Sequence, residues 1–87
     1  MTIEYIITCI RKNSQGIITH VGIEQQVIDI QTVAERIWAR EANYYTIAMG
    51  IRVKVFAMRN SDTNDPYLTT AANDKLPNNL KFLPKCA

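Results

Sequence analysis

Ile30, Val33, Ala34, Ile37 and Trp38 repeat at i, i+3, i+4, i+7 and i+8, and this stripe limits the architecture more than any other feature of the chain. On both sides of it lie segments rich in β-branched and aromatic residues, patterned for strands. A helix of about three turns presents one apolar face, so it can cover only one side of the sheet those strands build. Two N-caps compete: Asp29, or Thr32 with Glu35 three residues on as a capping box. Asn43 tolerates left-handed backbone and is expected to end the helix, which is predicted over Asp29–Ala42.

Ile3 to Arg11 and Ile17 to Glu24 read as a hairpin around the polar run Lys12–Gly16. Neither strand alternates cleanly. Ile3, Tyr5, Ile7 and Cys9 share one parity while Ile6 and Ile10 have the other; Ile17, Val21 and Ile23 oppose Ile18 and His20. A sheet with one wet face should be apolar on one side only, so this hairpin is expected to be covered on both faces. With one helix available, the second cover is expected to be another copy of the chain, in a closed dimer or a multiple of it. The 87-residue length points the same way, because a chain this short buries only about 60% of its unfolded surface.

Tyr44 to Ala48 and Ile51 to Met58 read as a third and fourth strand around Met49-Gly50. The stretch Arg59 to Pro66 is a polar surface loop, and Tyr67-Leu68-Thr69-Thr70 a short last strand. From Ala71 periodicity is lost, and Pro77 and Pro84 exclude a helix spanning the tail. The expected fold is α+β: an antiparallel sheet of four to five strands with one helix packed on one face, in a single domain over residues 1–87. Leu80, Phe82 and Leu83 are expected to plug its core.

Composition narrows the function classes. No apolar run approaches the roughly 20 residues that span a bilayer. The start Met1-Thr2-Ile3-Glu4 lacks a secretory signal pattern, so a cytoplasmic protein is expected, with no membrane partner. The net charge of +2 is dispersed along the chain, as on a solvated surface, and no nucleic-acid partner is expected. A disulfide between Cys9 and Cys86 is geometrically possible, but the spacing does not ask for one. Reduced thiols are the cytosolic default, with Cys9 an inert core thiol.

His20 is the single histidine, and neither a histidine-based triad nor a multi-histidine metal site is expected. Thr8 or Cys9 could face it, depending on register, and a Cys9–His20 pair would resemble a nucleophile and its base. The structural role is preferred for both. Asp62, Asp65 and Asp74 lie in turn-forming loops. Neither an enzyme nor a cofactor or metal is expected.

The binding candidates are Tyr67, Asn78, Asn79, Arg52 and Lys54. Asn side chains both donate and accept, so Asn78-Asn79 can pin a tail or read a ligand's polar edge. Tyr67 beside them would add a stacking surface, and Arg52 and Lys54 closely spaced positive charge for a phosphate. Of Tyr44 and Tyr45, one ring must point away from the helix-covered face.

Ile7-Thr8 with Arg11-Lys12, Ile18-Thr19-His20-Val21-Gly22, Tyr44-Tyr45-Thr46, Val53-Lys54-Val55, Tyr67-Leu68 with Thr70, Asn78-Asn79-Leu80 and Leu83-Pro84-Lys85-Cys86 occur in an order that resembles a small bacterial and phage family. That family is catalogued only as a domain of unknown function. Its members often carry an arginine where this chain has Thr69, so an anion contact there does not transfer. More distantly the layout is similar to phage anti-defence sponge proteins that sequester cyclic nucleotide signals in pockets at subunit interfaces; those are longer. The resemblance implies a non-catalytic, oligomeric binding module for a nucleotide-like small molecule at a subunit interface. The alternative is a protein–protein adaptor encoded by a phage or mobile element, with no small-molecule ligand.

Overall fold

The computed structural model describes residues 2–24, 26–48, 50–70 and 79–86. In chain order they form β1 (Ile3–Lys12), β2 (Ile18–Ile23), β3 (Gln26–Asp29), α1 (Ile30–Trp38), β4 (Ala42–Ala48), β5 (Ile51–Lys54), β6 (Phe56–Arg59) and β7 (Pro66–Thr69). A 3-10 turn follows over Asn79–Phe82. Five strands make one sheet in the order β3-β2-β1-β4-β5, and β6 and β7 make a second, two-stranded sheet. The class is α+β, as expected, but the large sheet is mixed. β4 runs parallel to β1, with Ile3 to Ile6 paired against Ala42 to Tyr45. Parallel neighbours need a crossover, and α1 lies in the connection that returns the chain beside β1.

The stripe on α1 forms as its spacing predicts, with Ile30, Val33 and Ala34 buried. Asp29 is the N-cap: its carboxylate accepts from the Thr32 backbone N–H at 3.1 Å and from the Thr32 hydroxyl at 2.7 Å. Both bonds favour the charged form and hold the Asp29 carboxyl below the usual carboxylate range. The helix is shorter than expected. It ends at Trp38, and Arg40 rather than Asn43 takes the left-handed conformation, with φ of 60°. Asn43 lies within β4, drawn into the ladder opposite Glu4.

The mixed parity of the first hairpin has a different cause from a second covered face. One extra residue of β1 is accommodated between Ile7, which pairs with Ile23, and Cys9, which pairs with Gly22. This bulge at Thr8 reverses the alternation, so Ile7 and Ile10, of opposite parity, are both buried in the same core. A second irregularity, with Arg11 opposite His20 and Lys12 opposite Ile18, does the same around Thr19, and Ile18 joins Val21 and Ile23. The core is completed by Tyr44, Val55, Leu68 and Leu80.

Ile51 to Met58 is two strands, not one. Val55 is buried and its N–H still donates to Tyr44 at 2.8 Å; the chain then leaves the large sheet and forms β6 with β7. The small sheet packs on α1, held there by Trp38, whose Nε1 donates to the Ala57 carbonyl at 3.0 Å while the Arg59 guanidinium sits 4.5 Å over its ring. The helix is thus sandwiched, its second neighbour coming from the same chain.

The tail closes the structure from the other side. β4 leaves β1 beyond Ile6, and the chain's last segment takes the vacated edge: Ile10 N–H donates to Pro84 and Cys86 N–H to Ile10, each at 2.9 Å. Leu80 is fully buried and Leu83 half-buried against the core, whereas Phe82 is 76% exposed and plugs nothing. Cys9 and Cys86 are joined in a disulfide, which corrects the expectation of two reduced thiols. The bulge turns Cys9 out of the core to the face opposite Ile10, and the docked tail brings Cys86 to a Cα separation of 4.9 Å. Gly22 is the seat of this bond, since a Cβ there would collide with Cys9 Sγ and lie 2.9 Å from Cys86 Sγ.

Thr46 is fully buried on β4, and its hydroxyl has no hydrogen-bond partner among the described residues. A buried unpaired hydroxyl costs about 1–3 kcal/mol. Thr46→Val, close in shape, is therefore expected to raise the melting temperature by several degrees, read by circular dichroism. A lower melting temperature would mean that the hydroxyl is bonded after all.

Candidate functional site

The candidate residues do not gather in one place. Arg52 on β5 is held by Glu4 of β1, across β4: its Nη2 lies 3.1 Å from Glu4 Oε1, and its guanidinium stacks 4.1 Å over the Tyr45 ring. The Tyr45 hydroxyl donates to the other Glu4 oxygen at 2.9 Å. Led by the Tyr45 bond and then by Arg52, these contacts keep the Glu4 carboxyl below its ordinary range; Glu4, and then Tyr45, raise Arg52. Tyr45 is therefore the outward ring of the pair. Tyr44 points into the core, stacked at 5.2 Å on Tyr5, and its hydroxyl accepts from Arg36 at 3.3 Å.

Lys54, two residues on, has its Nζ 5.9 Å from the Phe56 ring. It lines a cleft of about 370 Å³ with Thr2, Arg40, Asn43 and Phe56. Among the described residues, none that lines that cleft also lines the one that holds Tyr67.

Tyr67 lies on β7 opposite Met58, 41% exposed, with its hydroxyl 3.8 Å from the Met58 sulfur. It forms one wall of a cleft of about 510 Å³. The β1–β2 turn supplies Ile17, the start of β2 supplies Ile18, the β6–β7 loop supplies Asn60, Thr63 and Asp65, and the 3-10 turn supplies Lys81. The loop is braced. Asn60 Oδ1 accepts from the Asp62 and Thr63 backbone N–H groups, Asn60 N–H donates to Asp65, and Arg59 reaches the Asn64 carbonyl. Asn64 supplies the left-handed turn residue, with φ of 61°.

Asn79 opens the 3-10 turn, with its N–H donating to Thr70 Oγ1 at 2.7 Å, so this asparagine anchors the tail to the end of β7. Asn78 lies outside the described residues. Asn60, Thr63, Asp65 and Lys81 were not among the sequence candidates. The polar loop reads in sequence as solvated turn chemistry, and nothing in a lone tail lysine says that it will line a cleft with a tyrosine.

The sequence left open which residue faces His20. Its ring Nδ1 is 2.9 Å from Thr19 Oγ1, and its cross-strand partners are Arg11 and Asp29. Cys9, in its disulfide, is not a thiol beside it. Among the described residues, no three His, Cys, Asp or Glu side chains come together as a metal site. Among the described residues, no helix is long and apolar enough to cross a membrane.

The profile of a family described as a protein of unknown function, DUF3892, matches residues 6–84. No curated protein and no solved structure matches the chain.

Proposed function

The chain belongs to the DUF3892 family, and we propose that it is a non-catalytic binding module whose ligand is a small, planar, polar molecule of the nucleotide class. The observation that carries this is the half-exposed Tyr67 ring on the wall of a cleft of about 510 Å³, with Lys81, Asn60, Thr63 and Asp65 around it. The volume suits a small-molecule pocket, typically about 300–1,000 Å³. An aromatic face stacks a base, the polar loop reads its edge, and the lysine meets a phosphate. Arg52 is already engaged by Glu4 and has no part in this site.

Self-association belongs to the same proposal, although the two-faced hairpin no longer supports it. Its support is β5, an edge strand of the large sheet with Ile51 66% exposed and Ile47 half-exposed opposite Arg52. Light scattering at micromolar concentration is expected to give at least a dimer mass. An adaptor role is supported by Phe56 and Met58, both half-exposed on β6 beside Tyr67.

Calorimetry against a panel of cyclic and linear nucleotides tests the ligand. Base–aromatic stacking contributes about 1–3 kcal/mol, so Tyr67→Ala is expected to weaken binding by about 5- to 150-fold. Lys81→Ala should weaken phosphate-bearing ligands and leave nucleosides unaffected. Binding that survives Tyr67→Ala unchanged would place the site elsewhere, and no binding across the panel would favour the adaptor.

A further inference from the structure

We infer that the Cys9–Cys86 disulfide is a thiol-exchangeable latch that holds the tail, and with it Lys81, against the Tyr67 cleft. That it regulates binding rests on the cleft being the site; the latch itself does not.

The described tail, Asn79 to Cys86, is held at its two ends. At the first end, Leu80 is fully buried and the Asn79 N–H is bonded to Thr70 Oγ1. At the second, Cys86 is bonded to Cys9 and makes one of the two backbone hydrogen bonds to Ile10. Between them Lys81, Phe82, Pro84 and Lys85 are exposed and Leu83 is half-buried. Lys81 therefore stands on a span tethered at both ends, and only the second tether is chemically reversible.

The fold accommodates this bond at a specific cost. Gly22 leaves bare backbone where any side chain would strike the two sulfurs, and the bulge at Thr8 turns Cys9 toward that seat. Cys9 is partly exposed while Cys86 is buried, which makes Cys9 the more accessible half of the bond. A low-molecular-weight thiolate attacks Cys9 Sγ, forming a mixed disulfide and expelling Cys86 as a thiolate. A second thiolate attacks the external sulfur of the mixed disulfide, releasing Cys9 as a thiolate and the reagent as its own disulfide. Two electrons pass from the reagent to the protein, and both cysteine thiolates take up protons according to pH. In an oxidising compartment the latch stays closed; where glutathione is reduced it opens.

Amide hydrogen exchange on the full chain, oxidised and then with excess reduced glutathione, tests this below the melting transition of the reduced protein. On reduction the Ile10, Leu83 and Cys86 amides are expected to lose at least tenfold more protection than Val55 and the β1–β2 ladder, whose smaller loss follows the drop in global stability. The Cys9→Ala/Cys86→Ala variant should show the reduced pattern with or without glutathione. Unchanged tail protection on reduction would overturn the latch. So would an equal loss at every amide, which would make the bond a brace for the whole fold. Titration of the oxidised protein with AMP is a separate arm: no heat there counts against the cleft as a nucleotide site and leaves the latch to be decided by exchange alone.

Discussion

Replacing Cys9 and Cys86 together by alanine is expected to lower the melting temperature by about 15 °C or more, measured by circular dichroism without added thiol. The bond links residues 77 apart in sequence. Cross-linking a loop that long restricts the unfolded chain by about 4–5 kcal/mol in the chain-entropy account. A small domain has only about 5–15 kcal/mol in total, so the loss is a large part of it. Gly22→Ala sharpens the test. With the disulfide present the new methyl group collides with both sulfurs; in the alanine pair that obstacle is gone. The substitution is expected to be severely destabilising in the oxidised protein and much milder in the double variant, a coupling that neighbouring groups produce and distant ones do not. A melting shift below about 3 °C for the alanine pair would show that the bond contributes little to the fold.

Leu80→Ala should have the next largest effect. Leu80 is fully buried among the core residues, and truncating such a leucine costs about 2–5 kcal/mol. That corresponds to a fall of about 10 °C or more in melting temperature for a chain of this size. Phe82→Ala, two residues on, removes a larger side chain but one that is already in water, and it is expected to leave the melting curve unchanged. If the two variants melted alike, the tail would be packed through the other face of its 3-10 turn.

Local order was legible where a single period carried it. The stripe of α1 and its Asp29 cap follow from spacing and side-chain chemistry, and so do the hairpin and the short strand that holds Tyr67. What escaped depends on contacts between distant segments. A bulge inserts one residue without altering composition, so Thr8 looks like any strand position, and its trace is the muddled alternation itself. Taken as strict period two, that alternation demanded a second covered face; with Ile7 and Ile10 on one side, the demand disappears. The parallel pairing of β1 with β4 was foreshadowed by the intervening helix. Gly22, in the middle of an apolar strand, was the one local sign that something approaches the backbone closely there. At the site, Tyr67 was legible as an aromatic at a strand's end. Lys81 and Asp65 line its cleft only because the tail and the β6–β7 loop converge there, which no local pattern encodes.

Because the last described segment lies beside the first strand, the order in which the protein can assemble is constrained. During synthesis β1, β2, β3 and α1 emerge early and can form local contacts, but the edge of β1 at Ile10 stays open until residues 84–86 have been made. Until then the nascent chain carries an unpaired strand edge and an exposed thiol at Cys9, the kind of species in which intermolecular pairing competes with folding. Pairing across almost the whole chain also raises the mean sequence separation of native contacts, which slows folding. Native Cys9–Cys86 bonding requires this docking, and its rate depends on the oxidant supplied as well as on the chain's own collapse.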